Sequence, residues 1–298
     1  MLSKMYKLFF HEDGFFNRIR NQIKISYLLS FEFKPRDDDI YIVTYPRSGT
    51  TLMQMIFYQL RTKGDMDFIH ISEKIPFLEN YLLLLQCKAK KFEHFEEPRI
   101  FKTHLSYFNI PKHKNNKYIF IIRDPMDVAY AYYHLYKSTF TKARLSFDIF
   151  FNEYFIKGDV QCGLWFKYVK KWLGNRKKLN ILYIDYNDLV KNKREMILKI
   201  ANFVNIEIKD GDLKRIIQKT SIAHMKQYED KFSYRSESEW ARSLIDCSSF
   251  IREGAIGSGV AKGTKKQVEL CNAKLKKYNL YNLKKITLDG DNGRGYKC

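Results

Sequence analysis

Hydrophobic and polar positions change period along the chain, and the changes mark its elements. Ile40 to Thr44 is a run of β-branched and aromatic residues that follows acidic Asp37, Asp38 and Asp39, and it reads as a buried strand. From Thr50 to Arg61 the apolar positions Leu52, Met53, Ile56, Phe57 and Leu60 recur at helical spacing, which leaves Tyr45 to Gly49 as the turn between strand and helix. Further short apolar runs at Ile100-Phe101, Tyr118 to Ile122 and Ile181 to Ile184 read as core strands, with helical patterns at Pro125 to Lys137 and Asp188 to Val204. Strands alternating with helices predict a single α/β domain: a central, mainly parallel sheet flanked by helices on both faces. In such sheets ligands bind beyond the carboxyl ends of the strands. After Asn205 the pattern is helical and irregular and ends in a lysine-rich tail, and no internal repeat or low-complexity segment appears. The expected organisation is a leader over 1–36, the folded domain over 37–270 and a basic tail over 271–298.

Composition agrees with a folded chain of this size. Of the 298 residues 45% are hydrophobic and 16% aromatic, enough for one substantial core. Lys and Arg outnumber Asp and Glu by 53 to 33, and the resulting formal charge of +20 favours anionic partners. Charge alone leaves nucleic acid, an anionic membrane and a phosphorylated small molecule all open. Many lysines, such as Lys170, Lys171, Lys177 and Lys178, also fit an ordinary solvated helix face. The five cysteines, Cys87, Cys162, Cys247, Cys271 and Cys298, are widely spaced and form no CxxC pair, which suggests neither a disulfide framework nor a zinc site and fits a reducing compartment. The apolar runs at Tyr81 to Leu85 and Tyr118 to Ile122 are too short to span a bilayer, and His11, Glu12, Asp13 and Arg18 interrupt the first thirty or so positions. A cytoplasmic location with no membrane partner is the expectation.

The segment Thr44-Tyr-Pro-Arg-Ser-Gly-Thr-Thr51 carries the first candidate chemistry. Placed at a helix N-terminus, it can turn backbone N–H groups toward an anion. Gly49 permits close approach, the hydroxyls of Ser48, Thr50 and Thr51 can donate, and Arg47 offers a planar cationic fork. Taken alone, the same residues equally suit a polar turn capped by a hydroxyl. The first glycine and the lysine of G-x-x-x-x-G-K-[ST] are both missing, so an ordinary ATPase or GTPase is disfavoured.

The segment resembles the 5′-phosphosulfate loop of the cytosolic sulfotransferase family, TYPKSGT, and later segments match that family in the same order. Lys102-Thr-His-Leu105 is similar to KTHLP, Arg123-Asp-Pro-Met-Asp-Val-Ala129 with Tyr132-Tyr-His-Leu-Tyr136 to RNPKDVAVSYYHFY, and Asp185-Tyr-Asn-Asp-Leu with Lys193-Arg-Glu to FYEDM and PKRE. Thr220-Ser-Ile-Ala-His-Met225 resembles TSFKEM, Phe250-Ile-Arg-Glu-Gly254 resembles FMRKG, and Ile75-Pro-Phe-Leu-Glu79 contains PFLE. The resemblance implies a P-loop-like phosphosulfate loop and transfer of a sulfuryl group from the nucleotide co-substrate PAPS, leaving PAP as product and requiring no metal. The acceptor it implies is a hydroxyl or amine of a small, apolar or phenolic molecule. By position, His104 is the expected general base, with Lys102 and Arg47 completing the catalytic set. Arg47, Ser48, Gly49, Thr50, Thr51, Arg123, Tyr186, Thr220, Arg252 and Gly254 are expected to hold the donor, and Phe77 to line the acceptor pocket, on or near which the leader would pack.

Each assignment has a plainer counterpart. A lone histidine at a strand end can be structural, Arg123 can pair with Asp124 or Asp127 at a helix start, Asp127 can steady the loop, and Phe77 can be core. Several positions also depart from the family pattern. Arg47 stands for lysine, Leu52 and Ile222 for the two aromatics that sandwich adenine, Ala131 for a serine and Glu253 for a lysine at the 3′-phosphate. Losing two stacking faces removes about 0.5–1.5 kcal/mol each, unless Tyr45, Tyr186 or Tyr228 substitutes. The glycine-rich Gly257 to Gly263 stretch lacks the family's tryptophan and predicts a mobile loop. The alternative function is a low-turnover protein on the same fold that binds PAP, PAPS or a hydrophobic ligand. A specific nucleic-acid partner is not expected, since no zinc-finger or RNA-recognition signature is present. Without a clear dimer motif, monomer and homodimer both stay open.

Overall fold

The computed structural model describes residues 14–85, 92–139, 145–233, 251 and 254–283. Its centre is a four-stranded sheet of β1 (Ile40–Thr44), β2 (Ile100–Thr103), β3 (Lys117–Ile122) and β4 (Asn180–Asp185), in the order β2-β1-β3-β4. Every pairing is parallel, with Ile42 opposite Lys102 on one side and Ile119 on the other. The expected parallel α/β architecture is therefore present, and the four strands fall on the apolar runs. Both faces of the sheet are covered, which is why those runs show no polar alternation.

Alternate side chains along each strand enter two layers. Tyr41, Val43, Phe101, Tyr118, Phe120 and Tyr183 build an aromatic layer, whereas Ile40, Ile42, Ile119, Ile121, Leu182 and Ile184 build an aliphatic one. The helices are numbered here in chain order. α1 (Gly14–Phe31) and α3 (Leu78–Leu85) lie on the aromatic side, together with α4 (Pro125–Thr139) and α5 (Trp165–Gly174); α2 (Thr50–Thr62) lies on the aliphatic side. The helices that follow β1 and β3 thus leave the sheet on opposite faces. Between the ends of these two neighbouring strands the layers part, and such a switch point is where open α/β sheets bind ligands.

Three elements differ from the sequence pattern. The helical stretch expected over Asp188 to Val204 is two helices, α6 (Tyr186–Lys191) and α7 (Lys193–Phe203), because Asn192 leaves helical dihedrals at φ −112° and ψ 43°. Folded structure also precedes Asp37: α1 buries Ile25 and leads to buried Phe33, both in the aromatic layer. The Gly257 to Gly263 stretch, expected to be a loop, holds α10 (Ser258–Lys262), which follows α8 (Asp210–Lys219) and α9 (Ile222–Gln227) and precedes α11 (Lys265–Lys277). A Cβ at Gly259 would lie 2.0 Å from the Met126 carbonyl oxygen, so glycine here serves close packing against α4. Past position 270, Cys271 and Leu280 remain buried in the aromatic layer.

Candidate active site

The turn from β1 into α2 is built to leave donors unspent. Arg47 and Gly49 both take positive φ, 68° and 100°, and fold Tyr45 to Gly49 into a tight turn closed by the Ser48 amide on the Tyr45 carbonyl at 3.2 Å. The first i→i−4 bond of α2 runs from the Met53 amide to the Gly49 carbonyl at 3.1 Å, and no side chain caps the helix. The amides of Thr50, Thr51 and Leu52 therefore lie ahead of the helical ladder, at the positive end of the macrodipole. Ser48 is 1% exposed, and its Oγ has no hydrogen-bond partner. An orphaned, buried hydroxyl beside uncapped amides favours the anion cradle over the capped turn.

Next to the cradle stands His104, at the end of β2. Its Nδ1 lies 2.8 Å from the Thr44 carbonyl and 3.2 Å from Thr44 Oγ1, and Thr44 Oγ1 is 2.6 Å from Thr50 Oγ1. A carbonyl only accepts, so Nδ1 carries the proton and Nε2 the lone pair. Burial, then the charge of Lys102, pushes the imidazole down to about 3, against the pull of the Thr44 hydrogen bond. The ring is neutral at physiological pH. Tyr168, on α5, donates to the Thr44 carbonyl at 3.0 Å and lies 3.1 Å from that of Leu105, tying the two strand ends together.

The segment Ile75 to Glu79 is strapped to the edge of β2. Phe77 forms a parallel bridge with Lys102, and the Lys102 amide donates to the Pro76 carbonyl at 2.9 Å. The strap sets the Phe77 ring edge-on to His104 at 5.0 Å and under the Lys102 ammonium at 4.7 Å. It also delivers Glu79, only 5% exposed, whose Oε1 accepts from the His104 amide at 2.7 Å. Lys102 is itself buried, which lowers it to about 8; Glu79 opposes that shift and Arg47 adds to it.

On the far side of the cradle, Arg123 follows β3. Its Nη1 donates to the Arg47 carbonyl at 3.1 Å and its Nη2 to the Ala255 carbonyl at 3.0 Å, while the guanidinium lies 4.4 Å from the centre of the Tyr186 ring. It forms no ion pair with Asp124 or Asp127, and its buried Nε has no partner. Asp127 instead accepts from the amides of Gly257 and Gly259, each at 2.8 Å, and so fixes the segment that carries Ala255. Asp185 caps α6 through the amides of Asn187 and Asp188, placing Tyr186 in its first turn. There the Tyr186 hydroxyl is 3.3 Å from the Gly254 carbonyl, and its ring lies where a Cβ on Gly49 would come within 2.7 Å.

The structure thus gathers Arg47, Ser48, Gly49, Thr50, Thr51, Arg123, Tyr186 and Gly254 around one loop, with Lys102, His104 and Phe77 at its other edge. Thr220 sits apart in one respect: its buried hydroxyl donates back to the Ile216 carbonyl at 2.7 Å, and its own carbonyl accepts from Lys193 at 2.7 Å. Arg252 and Glu253 lie outside the described residues. The ring of Tyr45 is buried in the aromatic layer against Tyr132, Phe155 and Tyr168. Sequence reasoning passed over Thr44, Glu79 and Tyr168. A glutamate in the first turn of a helix is ordinary by dipole and propensity rules, so its burial had no sequence signal.

The structure thus sets an uncapped helix N-terminus at the switch point of a parallel sheet, with a neutral, carbonyl-held histidine beside it. The chain belongs to the sulfotransferase-domain family, whose model matches residues 37–283. It is 30% identical to rabbit (Oryctolagus cuniculus) amine sulfotransferase over 235 residues, 76% of this chain and 75% of the relative. Mouse sulfotransferase SULT7A1, solved in complex with PAP, is similar at a TM-score of 0.66 and 26% identity, covering 88% of this chain and 93% of that one. Retinol dehydratase, solved with androsterone and PAP, shares the fold at a TM-score of 0.71 and 21% identity over 87% of this chain and 85% of its own. Among the described residues no helix is long and apolar enough to cross a membrane, and no cluster of metal-ligating side chains occurs.

Proposed function

We propose that the chain transfers a sulfuryl group from PAPS to a hydroxyl or amine of a small, apolar or phenolic acceptor, with His104 as general base. The observation that carries this reading is the bond from His104 Nδ1 to the Thr44 carbonyl, because Thr44 is also the residue from which the anion cradle springs. Base and cradle are held by one strand end. The residues present suit a nucleotide with phosphates at both ends of its sugar: the orphaned Ser48 Oγ and the uncapped amides of α2 at one end, the unpartnered Nε of Arg123 at the other. The donor, when bound, supplies the activated sulfuryl group and a phosphate as leaving group. His104 Nε2, with the lone pair, takes the proton of the acceptor as it attacks, while the Lys102 ammonium and Arg47 guanidinium offset the negative charge that shifts to the bridging oxygen. Phe77 offers the acceptor an apolar wall beside the base.

Radiolabelled PAPS, offered with a panel of phenols, catecholamines, alkylamines and sterols, tests the reading. His104→Ala is expected to lower kcat by about 10²–10⁴-fold, the usual worth of a positioned acid or base, while PAP affinity stays near that of the wild type. A second reading, a nucleotide-binding protein with little turnover, draws on the aliphatic Leu52 and Ile222. PAP binding with no sulfated product from any acceptor would favour it and reject the first.

A further inference from the structure

We infer that the outer face of α5, flanked by the end of α11 and the turn after β2, is a docking surface for an anionic lipid bilayer, on which the chain rests without crossing it. The inference goes beyond sulfuryl transfer and does not depend on it, and it names a partner that the sequence pattern did not predict. Three segments meet here, 104–118, 160–179 and 270–283, and none contains an aspartate or a glutamate. Rings fix their packing. Tyr107 meets Trp172 edge-on at 5.6 Å on one flank of α5, and Phe166 stacks on Tyr278 at 5.9 Å on the other. Between the flanks Lys167, Lys170 and Lys171 stand exposed at the spacing of one helix face, and exposed Lys177 and Lys178 follow the helix.

Elsewhere the surface pairs its cations: Arg36 with Glu93 and Glu97, Lys63 with Asp212, Lys157 with Glu153, Arg194 with Asp210. Among the described residues no lysine of the α5 face or of the end of α11 has such a partner. Their stems lie on rings instead. The Lys171 ammonium is 5.1 Å from the centre of Phe108 and the Lys170 ammonium 5.9 Å from that of Tyr278. Lys274, on α11, donates to the Ile156 carbonyl at 3.0 Å; burial, then the charges of Lys277 and Lys167, lowers its pKa, so the two helices hold their cations within each other's field. Like charges gathered without a counter-charge oppose the fold, and an anionic surface relieves them. Complementing the helix dipole accounts for Lys171 in the last turn of α5 and for Lys274, Lys276 and Lys277 in that of α11. It does not account for Lys167 and Lys170, nor for Phe108 at 63% and Tyr281, just past α11, at 64% exposure. Exposed rings beside lysines are the chemistry of a bilayer interface, where rings enter at headgroup level and ammonium groups reach the lipid phosphates and carboxylates. The charges also stand on a helix ridge, whereas a single nucleic-acid strand is tracked by a groove.

Co-sedimentation of the full chain with vesicles tests the inference. Wild type is expected to bind vesicles of phosphatidylcholine with about 30% phosphatidylserine at about 0.1 M salt, to leave them as salt rises toward about 0.5 M, and to ignore phosphatidylcholine alone. A triple variant, Lys170→Gln, Lys171→Gln and Lys277→Gln, should partition about 100-fold more weakly, at about fivefold per lysine near the surface. A control triple, Lys191→Gln, Lys214→Gln and Lys226→Gln, removes the same charge from exposed positions on α6, α8 and α9 and should bind as the wild type does. Phe108→Ser should weaken binding severalfold and leave its salt dependence unchanged, since it removes apolar contact and no charge. Thermal unfolding checks that each variant is folded, and all seven positions are exposed, where such changes alter stability little. Equal binding by the two triple variants overturns the inference, because net charge and not this face would then be responsible. A wild type that stays in the supernatant with the anionic vesicles overturns it as well, and in favour of nucleic acid if the same protein binds a short single-stranded RNA.

Discussion

Replacing Gly49 with alanine adds one methyl group at a point where backbone and site both resist it. The backbone resists because φ is 100°, beyond the left-handed region that other residues visit at a cost of about 1–2 kcal/mol. The site resists because the new Cβ would lie 2.7 and 2.8 Å from two carbons of the Tyr186 ring. That ring is 5% exposed and lies beneath the Arg123 guanidinium, so it has little room to retreat; overpacking of this kind costs about 1–3 kcal/mol. Together the two effects predict a loss of about 2–5 kcal/mol, shared between stability and the shape of the cradle. Thermal unfolding should show a fall of several degrees in Tm. Titration calorimetry should show PAP binding at least about tenfold weaker, which is 1.4 kcal/mol of the total. Combining Gly49→Ala with Tyr186→Leu separates the terms, since the smaller side chain relieves the contact and leaves the dihedral penalty. A single Gly49→Ala variant with unchanged Tm and unchanged PAP affinity would refute both the backbone argument and the placement of Tyr186 against the loop.

Two other substitutions probe the supports of the site. Asp127→Ala removes two charge-assisted bonds to the amides of Gly257 and Gly259, each worth about 1.5–3 kcal/mol; weaker PAP binding is expected, because the freed segment carries the Ala255 carbonyl that holds Arg123, and Asp127→Asn should fall between. Calorimetry on the three proteins checks the order. At the other end of β1, Asp39 accepts two 2.8 Å bonds from Arg99, with both side chains at most 1% exposed. Asp39→Ala strands a buried guanidinium and is expected to cost about 3–5 kcal/mol in urea unfolding, with PAP affinity of the folded protein unchanged.

The strands were legible because a doubly covered parallel sheet leaves plain apolar runs, and the turn from β1 into α2 because a glycine and hydroxyls sit directly between a strand and a helix. Where the reading fell short, the deciding contacts were remote in sequence. Asn192 breaks the helical pattern expected over Asp188 to Val204 at a point where Lys193, one residue on, reaches the Thr220 carbonyl. Glycines 257 to 263 suggest mobility until Asp127 and Met126, more than a hundred positions earlier, are found to hold them. Glu79 had no role of its own in the sequence pattern; only the strap to β2 makes it a buried partner of His104. Local spacing carries helix and strand, but not which distant amide a carboxylate will meet.

The proposed donor site divides along the same line. Of its expected polar residues, the structure brings Arg47, Ser48, Thr50, Thr51 and Arg123 to one switch point, whereas the Thr220 hydroxyl is spent on the Ile216 carbonyl. Its apolar end is different in kind. Leu52 is buried in the aliphatic layer with Ile42, Ile56 and Tyr186, and Ile222 lies so close to Gly254 that a Cβ there would come within 2.3 Å of its side chain. Tyr45 belongs to the opposite layer, and the face of Tyr186 is engaged by Arg123. Tyr228 remains, half-buried just past the short helix that Ile222 begins, with its ring centre 4.8 Å from that of His224. Aliphatic side chains contribute burial without the quadrupole term of a stacked ring. The proposed nucleotide site therefore leans on its polar end, where the cation–π pair of Arg123 and Tyr186 holds that tyrosine against the loop that Arg123 also braces.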